Sequence, residues 1–259
     1  MTRPSLTRRR LLTGAAATAG TLALAGCDPF GRNNDPTGVL DLAERLTMAA
    51  QRAFLGRDTL AREFAEADIS PTFRVNGTSR PGSEDYAALE ANGFADWRLK
   101  VDGLVERPAA FSLANLKALP SRTQITRHDC VEGWSAIGKW TGVPLATILA
   151  TVGLKPTARY AVLHCADELE LTFDGSGRYY ESIDLVDAFH PQTILAYVMN
   201  GKALSVGHGA PLRLRVERQL GYKHAKYLMR IELVDSFATL RGGRGGYWED
   251  RGYEWYAGI

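Results

Sequence analysis

The 259-residue chain contains three cysteines, at positions 27, 130 and 165. Cys130 sits in the stretch richest in reactive side chains, TRHDCVEGWSAIGKWTGVPL (126–145). Several chemistries compete for its thiol. A structural disulfide with Cys165 suits an oxidising compartment. Zinc wants three or four Cys or His ligands at recognisable spacing, and that pattern does not occur. Covalent haem attachment needs Cys-x-x-Cys-His, which is absent from the sequence. His128 precedes Cys130 by two residues, so on a strand the two side chains share a face, a poor fixed geometry for drawing a proton from a nucleophilic thiol. A lone thiolate bound to a soft metal completes the set.

Three other segments carry residues suited to holding an anion: FRVN (73–76), HGAPLR (208–213) and GYKHAKYLMRIELVD (221–235). Arginine offers a planar fork of donors and lysine a point charge. Singly, each of these cations reads more readily as a surface charge on a strand or loop. In order along the chain, the four segments together resemble the sulfite-oxidase-type molybdopterin-dependent oxidoreductases. The nearest likeness is to their periplasmic methionine sulfoxide reductase catalytic subunit branch.

The resemblance implies a molybdenum-molybdopterin cofactor, one Mo per chain, with Cys130 as the only protein ligand to the metal. The pterin dithiolene would supply two further sulfurs, and oxo or water ligands the rest. Cys130 then has no protein partner because its partner is a metal. Phe73, Arg74 and Asn76 fall on the family's first cofactor-contacting strand, and Arg74 is also the candidate for meeting an anionic substrate. His208 and Arg213 match cofactor-contacting positions, and His224, Ala225 and Lys226 match those that hold the pterin phosphate. A buried phosphate dianion needs fixed donors. Cys165 falls where the periplasmic branch has a threonine beside the cofactor, a departure from the pattern. His164 and His190 have no counterpart and are expected to be structural.

The elements that must position these residues mix short strands with short helices. WRLKVDGLV, RTQITRHDC, RYAVLHCA, TILAYVM, PLRLRVE and KYLMRIELVD read as strands. SLANLKALP, with Ser112 as N-cap, and PLATILATVGL, opening at Pro144 and stopping near Gly153, read as short helices. Irregular mixing of this kind points to an α+β domain, and the resemblance implies a sulfite-oxidase-like molybdopterin-binding fold. No Gly-x-Gly-x-x-Gly or P-loop follows a strand, so nucleotide chemistry has no anchor. The catalytic domain is expected over 71–240, followed by an aromatic tail, 241–259, tucked onto it. In that tail Arg241, Arg244 and Arg251 are offset by Glu249, Asp250 and Glu254, which argues against a nucleic-acid groove.

Residues 1–27 have a basic head, a diluted apolar middle and a small-residue end, the parts of a signal peptide. Arg8-Arg9 resembles a twin-arginine export signal, and Leu24-Ala25-Gly26-Cys27 resembles a lipobox, in which Cys27 would be lipidated. The apolar middle is shorter than the roughly 20 residues a spanning helix needs. Residues 28–70 form a tether followed by an amphipathic helix, in which Val39, Leu42, Leu46, Ala50 and Ala53 recur at helical spacing. That apolar stripe is expected to pack on the main domain, leaving Arg45 and Arg52 a lesser role at lipid headgroups. The expected location is the periplasmic side of the cytoplasmic membrane, reached already folded.

Composition is that of an ordinary globular protein, 45% apolar and 23% charged. A net charge of +2 calls for neither nucleic acid nor an acidic surface. The function implied by the resemblance is oxygen-atom transfer that reduces a small or protein-bound sulfoxide or related S- or N-oxide. Neither a haem nor a flavin motif is present, so electrons would come from a separate carrier, a membrane haem protein or a cytochrome. Two alternatives stand beside this reading: a sulfite dehydrogenase, which Glu132 beside Cys130 disfavours, and a non-catalytic lipid-anchored binding protein.

Overall fold

The computed structural model describes residues 36–259, with side chains from residue 42. The export segment, Cys27 and the first part of the tether lie outside the described residues. The chain divides into two compact units, Met1–Thr47 and Met48–Ile259. The described part of the first is the leading portion of helix α1 (Pro36–Leu55).

Helix α1 forms where the apolar spacing placed it. In the part of it that belongs to the second unit, Ala50 and Ala53 are exposed. Within the second unit the helix end is held by polar contacts instead. Arg52 pairs with Asp184 at 2.6 Å and lies over the Tyr256 ring, and Gln51 donates to the Gly258 carbonyl. Alanines offer little apolar area to bury, so the arginine contacts decide the docking face. Among the described residues no helix is long and apolar enough to cross a membrane.

The second unit is an α+β fold of two five-stranded sheets. One runs β2 (Ala109–Ser112), β1 (Arg98–Gly103), β10 (Leu228–Val234), β5 (Tyr160–Glu168) and β6 (Arg178–Asp184). In it β1 and β10 are parallel and the other pairings antiparallel. The other runs β3 (Arg122–Asp129), β4 (Ser135–Pro144), β7 (Ile194–Met199) and β8 (Lys202–Ala203), with β9 (Arg213–Arg215) also against β7. The short helices are α2 (Glu84–Ala91), α3 (Leu113–Ala118), α4 (Leu145–Val152) and α5 (Leu185–Ala188). Ser112 caps α3 as its position suggested, accepting from the Asn115 N–H.

Two apolar clusters hold the sheets. The larger joins Trp97, Leu99, Val101, Ile148, Leu149, Leu163 and Ile231. The smaller gathers Phe73, Trp140, Ile194, Ala196 and Leu204. Two consequences shape the site. Strand β3 turns Gln124, Thr126 and His128 inward and ends where Cys130 begins. All three residues of β9 are buried, which forces the guanidinium groups of Arg213 and Arg215 into the interior.

Residues 241–259 pack along the edge of the first sheet. Tyr247 is buried, Trp255 donates to the Ser182 hydroxyl, and Tyr247 N–H bonds the Tyr180 carbonyl. His164 pairs with Glu232 and His190 with the Thr59 carbonyl, both away from the cleft described next.

Candidate active site

A tight turn carries Cys130 from β3 into β4. Its N–H bonds the Trp134 carbonyl at 2.9 Å, and its carbonyl accepts from Gly133 at 3.0 Å. Gly133 has φ +84, a left-handed conformation that glycine adopts without steric cost. The turn leaves the thiol half-buried at a cleft. Burial pushes the thiol pKa up, backbone N–H groups of Glu132 and Val131 oppose that, and the Glu132 carboxylate adds to it. Cys165 is also a free thiol, so the disulfide alternative is not formed.

The cleft has one wall from the Cys130 turn, which contributes Val131 and Glu132. A second comes from Asn76, Gly77 and Thr78, and a third from Gly221, Tyr222, His224 and Lys226. Asp167, Leu169, Tyr179, Trp248 and Tyr253 complete it. Glu132 accepts from the neutral Trp134 indole N–H at 2.9 Å.

Behind the cleft lies a buried cationic cluster. Lys226 donates to the carbonyls of Asn76 (2.7 Å), Thr78 (2.6 Å) and Gly207 (3.0 Å). Burial, then Arg213, lowers its pKa to about 7, against an opposing pull from Asp167. Arg213 is fully buried and donates to the His208 carbonyl at 3.1 Å and the His224 carbonyl at 3.3 Å. Burial and the neighbouring Arg215 bring it down to about 9. Arg215 differs, since its fork is matched to Glu217 at 2.6 and 2.9 Å. A third donor of Arg215 reaches His128 Nδ1 at 2.9 Å, which assigns the His128 proton to Nε2.

Gly209 explains how the 208–213 segment reaches these cations. Its φ is +103, and a Cβ there would meet Lys226 Cβ at 2.9 Å and Arg213 Cβ at 3.3 Å. Only a residue without a side chain admits that approach. His208 beside it bonds the Phe73 carbonyl through Nε2 and the Ser205 hydroxyl through Nδ1.

The donor set fits an anionic group. The hydrogen-bond acceptors of Arg213 and Lys226 are backbone carbonyls, not carboxylates, and buried charge is costly unless an opposite charge accompanies it. Among the described residues, His128 Nε2, His224 Nδ1 and Arg213 Nε are buried without a hydrogen-bond partner. His224 Nε2 is already spent on the Gln219 carbonyl, so Nδ1 is the free acceptor. The result is two cations and two unspent N–H donors, those of His128 and Arg213, at and behind the cleft that Cys130 lines.

The sequence-derived residues distribute unevenly over this arrangement. Cys130, Asn76, His224 and Lys226 line the cleft. Arg213, Ala225 and His208 stand behind it, with Ala225 N–H bonded within the 3₁₀ turn to Lys223 O. Phe73 is a core residue, its ring packed against His128, Trp134, Trp140 and His208. Cys165 is buried in the larger core cluster and does not line the cleft. Arg74 is exposed and is absent from the cleft wall, so its link to the site rests on the resemblance alone. Sequence reasoning missed Asp167 and the aromatic residues. Asp167 is buried, one strand step past Cys165, and burial raises it to about 6.

The chain is similar to several known proteins. The family model of the oxidoreductase molybdopterin binding domain matches residues 87–239. A chain of Azospira oryzae with the provisional name protein-methionine-sulfoxide reductase subunit YedZ1 is 37% identical over 251 residues, covering 97% of this chain and 87% of that one. The protein-methionine-sulfoxide reductase catalytic subunit MsrP of Xanthomonas axonopodis pv. citri is 32% identical over 88% of this chain and 70% of its own length. Among solved structures, the sulfane dehydrogenase SoxCD of Paracoccus pantotrophus matches with a TM-score of 0.49 and 26% identity, over 55% of this chain and 39% of that chain.

Proposed function

We propose that this chain, which belongs to the oxidoreductase molybdopterin binding domain family, reduces a sulfoxide to the thioether in the cell envelope. It is an enzyme, and its cofactor is molybdenum-molybdopterin. When bound, that group supplies a two-electron Mo(VI)/Mo(IV) couple able to take an oxygen atom. The net reaction consumes one sulfoxide, two electrons and two protons, and yields one thioether and one water.

This chain's residues divide the remaining tasks. Cys130 is the metal ligand. Arg213 and Lys226 hold the pterin phosphate; His224, Ala225, His208, Asn76 and Phe73 join the cradle through the family resemblance, since His224 Nδ1 is an acceptor and the Ala225 N–H is spent on the Lys223 carbonyl. Arg74 and Cys165 belong to the proposal only through the family resemblance. Asp167, raised by burial to about 6, lines the same cleft and is the carboxyl there able to exchange a proton near neutral pH.

The observation that carries the reading is the convergence of Cys130, Arg213 and Lys226 on and directly behind one cleft, from segments far apart in sequence. The two named relatives support a sulfoxide substrate. Sulfite fares worse as a substrate, because Glu132 in the cleft is met by a neutral indole rather than a cation. The electron donor is a separate membrane haem protein or cytochrome. The leader-like residues 1–27 support export by the twin-arginine route and a lipid anchor at Cys27.

A panel of sulfoxides, N-oxides and sulfite, assayed with a dye donor or acceptor, tests the function. Turnover of sulfoxides with the dye donor is expected. Oxidation of sulfite without reduction of any sulfoxide would overturn the assignment.

A further inference from the structure

We infer that the C-terminal tail builds the substrate-binding wall of this cleft: Trp248 and Tyr253, with Tyr222, form an aromatic box for the sulfur-bearing side chain. The inference rests on the sulfoxide reading and names the residues that select the substrate. The family match ends at residue 239, yet Trp248 and Tyr253 line the same cleft as Cys130.

The three rings are fixed against one another. Trp248 and Tyr253 stack with centroids 5.3 Å apart and planes at 27°. Tyr222 meets Tyr253 edge-on at 5.2 Å and 85°. The Tyr253 N–H bonds the Trp248 carbonyl at 3.0 Å, and the Tyr222 hydroxyl bonds the Glu254 carbonyl at 2.7 Å. Between Trp248 and Tyr253 in sequence, Glu249 is fastened to Lys223 at 2.7 Å in a fully buried contact. The box is therefore organised before any ligand arrives, which lowers the entropic cost of binding.

Its chemistry selects a neutral, polarisable group. Ring faces carry a negative quadrupole, which disfavours anions. Thioether sulfur makes favourable contacts with aromatic rings, and the flanking methyl and methylene groups bury apolar area against them. Tyr253 is 37% exposed, so the box opens at its outer end to solvent. Because Trp248 and Tyr253 already stack on each other, a methionyl side chain would lie against the free faces and edges of these rings. The same box could instead hold an organic cation through its ring faces, and the test separates the two.

Calorimetric titration of the full chain with the neutral N-acetyl-methionine methylamide, its sulfoxide and choline tests the box without relying on turnover. The expected result is that thioether and sulfoxide bind, and that Trp248→Ala and Tyr253→Ala each weaken binding roughly tenfold. Trp248→Phe should restore most of the affinity. Should an alanine variant unfold, Trp248→Phe against Tyr253→Leu gives the same comparison. Equal affinity in all variants, no binding by the wild type, or binding of choline alone would overturn the inference. Steady-state assays then separate the two ideas. If the wild type reduces sulfoxides and KM is unchanged in Trp248→Ala, the box fails and the reaction stands. If ligands bind through Trp248 but no sulfoxide is turned over, the box stands and the reaction fails.

Discussion

The Lys223 ammonium lies 2.7 Å from one carboxylate oxygen of Glu249 and 2.5 Å from one of Glu181, and all three side chains are buried. Strand β6, the 3₁₀ turn before His224 and the C-terminal tail thus meet at one ammonium. Burial, then the Glu249 charge, raises the Glu181 pKa well above the usual carboxylate range, while the Lys223 ammonium opposes that rise.

Removing that lysine leaves two carboxyl groups buried without a cation. Lys223→Met is expected to lower unfolding stability by about 3–5 kcal/mol, read by urea denaturation at neutral pH. The loss should shrink as pH falls and both carboxyls become protonated. A destabilisation that is small and independent of pH would show that the cluster does not hold the tail.

A second stability prediction concerns Asp167 and Lys226 in cofactor-free protein. Asp167 is raised by burial to about 6 in the folded chain. The folded state therefore keeps its proton longer, and the contribution present below about pH 4 is lost as pH rises through 6, roughly 3 kcal/mol in all. Lys226 is lowered by burial to about 7. Above that value the unfolded state binds the extra proton, so stability recovers toward about pH 10. From this pair, stability of the cofactor-free chain is lowest between about pH 6 and 7. Asp167→Asn should abolish the acidic limb and leave the alkaline one, as followed by thermal unfolding across pH.

Arg213→Lys tests the anion cradle. The substitution keeps the charge but loses the fork that reaches two carbonyls and the unspent Nε. A charge-assisted hydrogen bond contributes about 1.5–3 kcal/mol, so pterin retention is expected to fall at least roughly tenfold. Released pterin fluorescence per chain measures it. Undiminished pterin content would remove Arg213 from the cradle.

Much of this site could be read before the fold was known, for a definable reason. Cys130, Arg213 and Lys226 each lie in a contiguous segment whose residue order is itself the signal. The strands that carry them alternate or run apolar strongly enough to be recognised, as in β3, β5 and β10. What stayed hidden depends on contacts between distant segments. Strand β4 carries Gly138 and Gly142, which dilute its pattern, yet Gly142 lies so close to Leu195 on β7 that a Cβ would fall 2.2 Å from its carbonyl oxygen. Helical periodicity placed α1 but reports an apolar face and not its partner, and the Arg52 contacts with Asp184 and Tyr256 had no signal in it. The aromatic wall was legible only as an aromatic-rich tail. That Trp248 and Tyr253 share a cleft with Cys130 follows from the Glu249–Lys223 pairing, which no local pattern encodes.

The central claim is the bond between the Cys130 sulfur and molybdenum, and X-ray absorption at the molybdenum edge tests it most directly. Wild type and Cys130→Ser, both loaded with cofactor, should differ by one sulfur neighbour of the metal, with pterin content preserved and sulfoxide turnover lost in the variant. An unchanged sulfur shell, or full turnover in Cys130→Ser, would contradict the account.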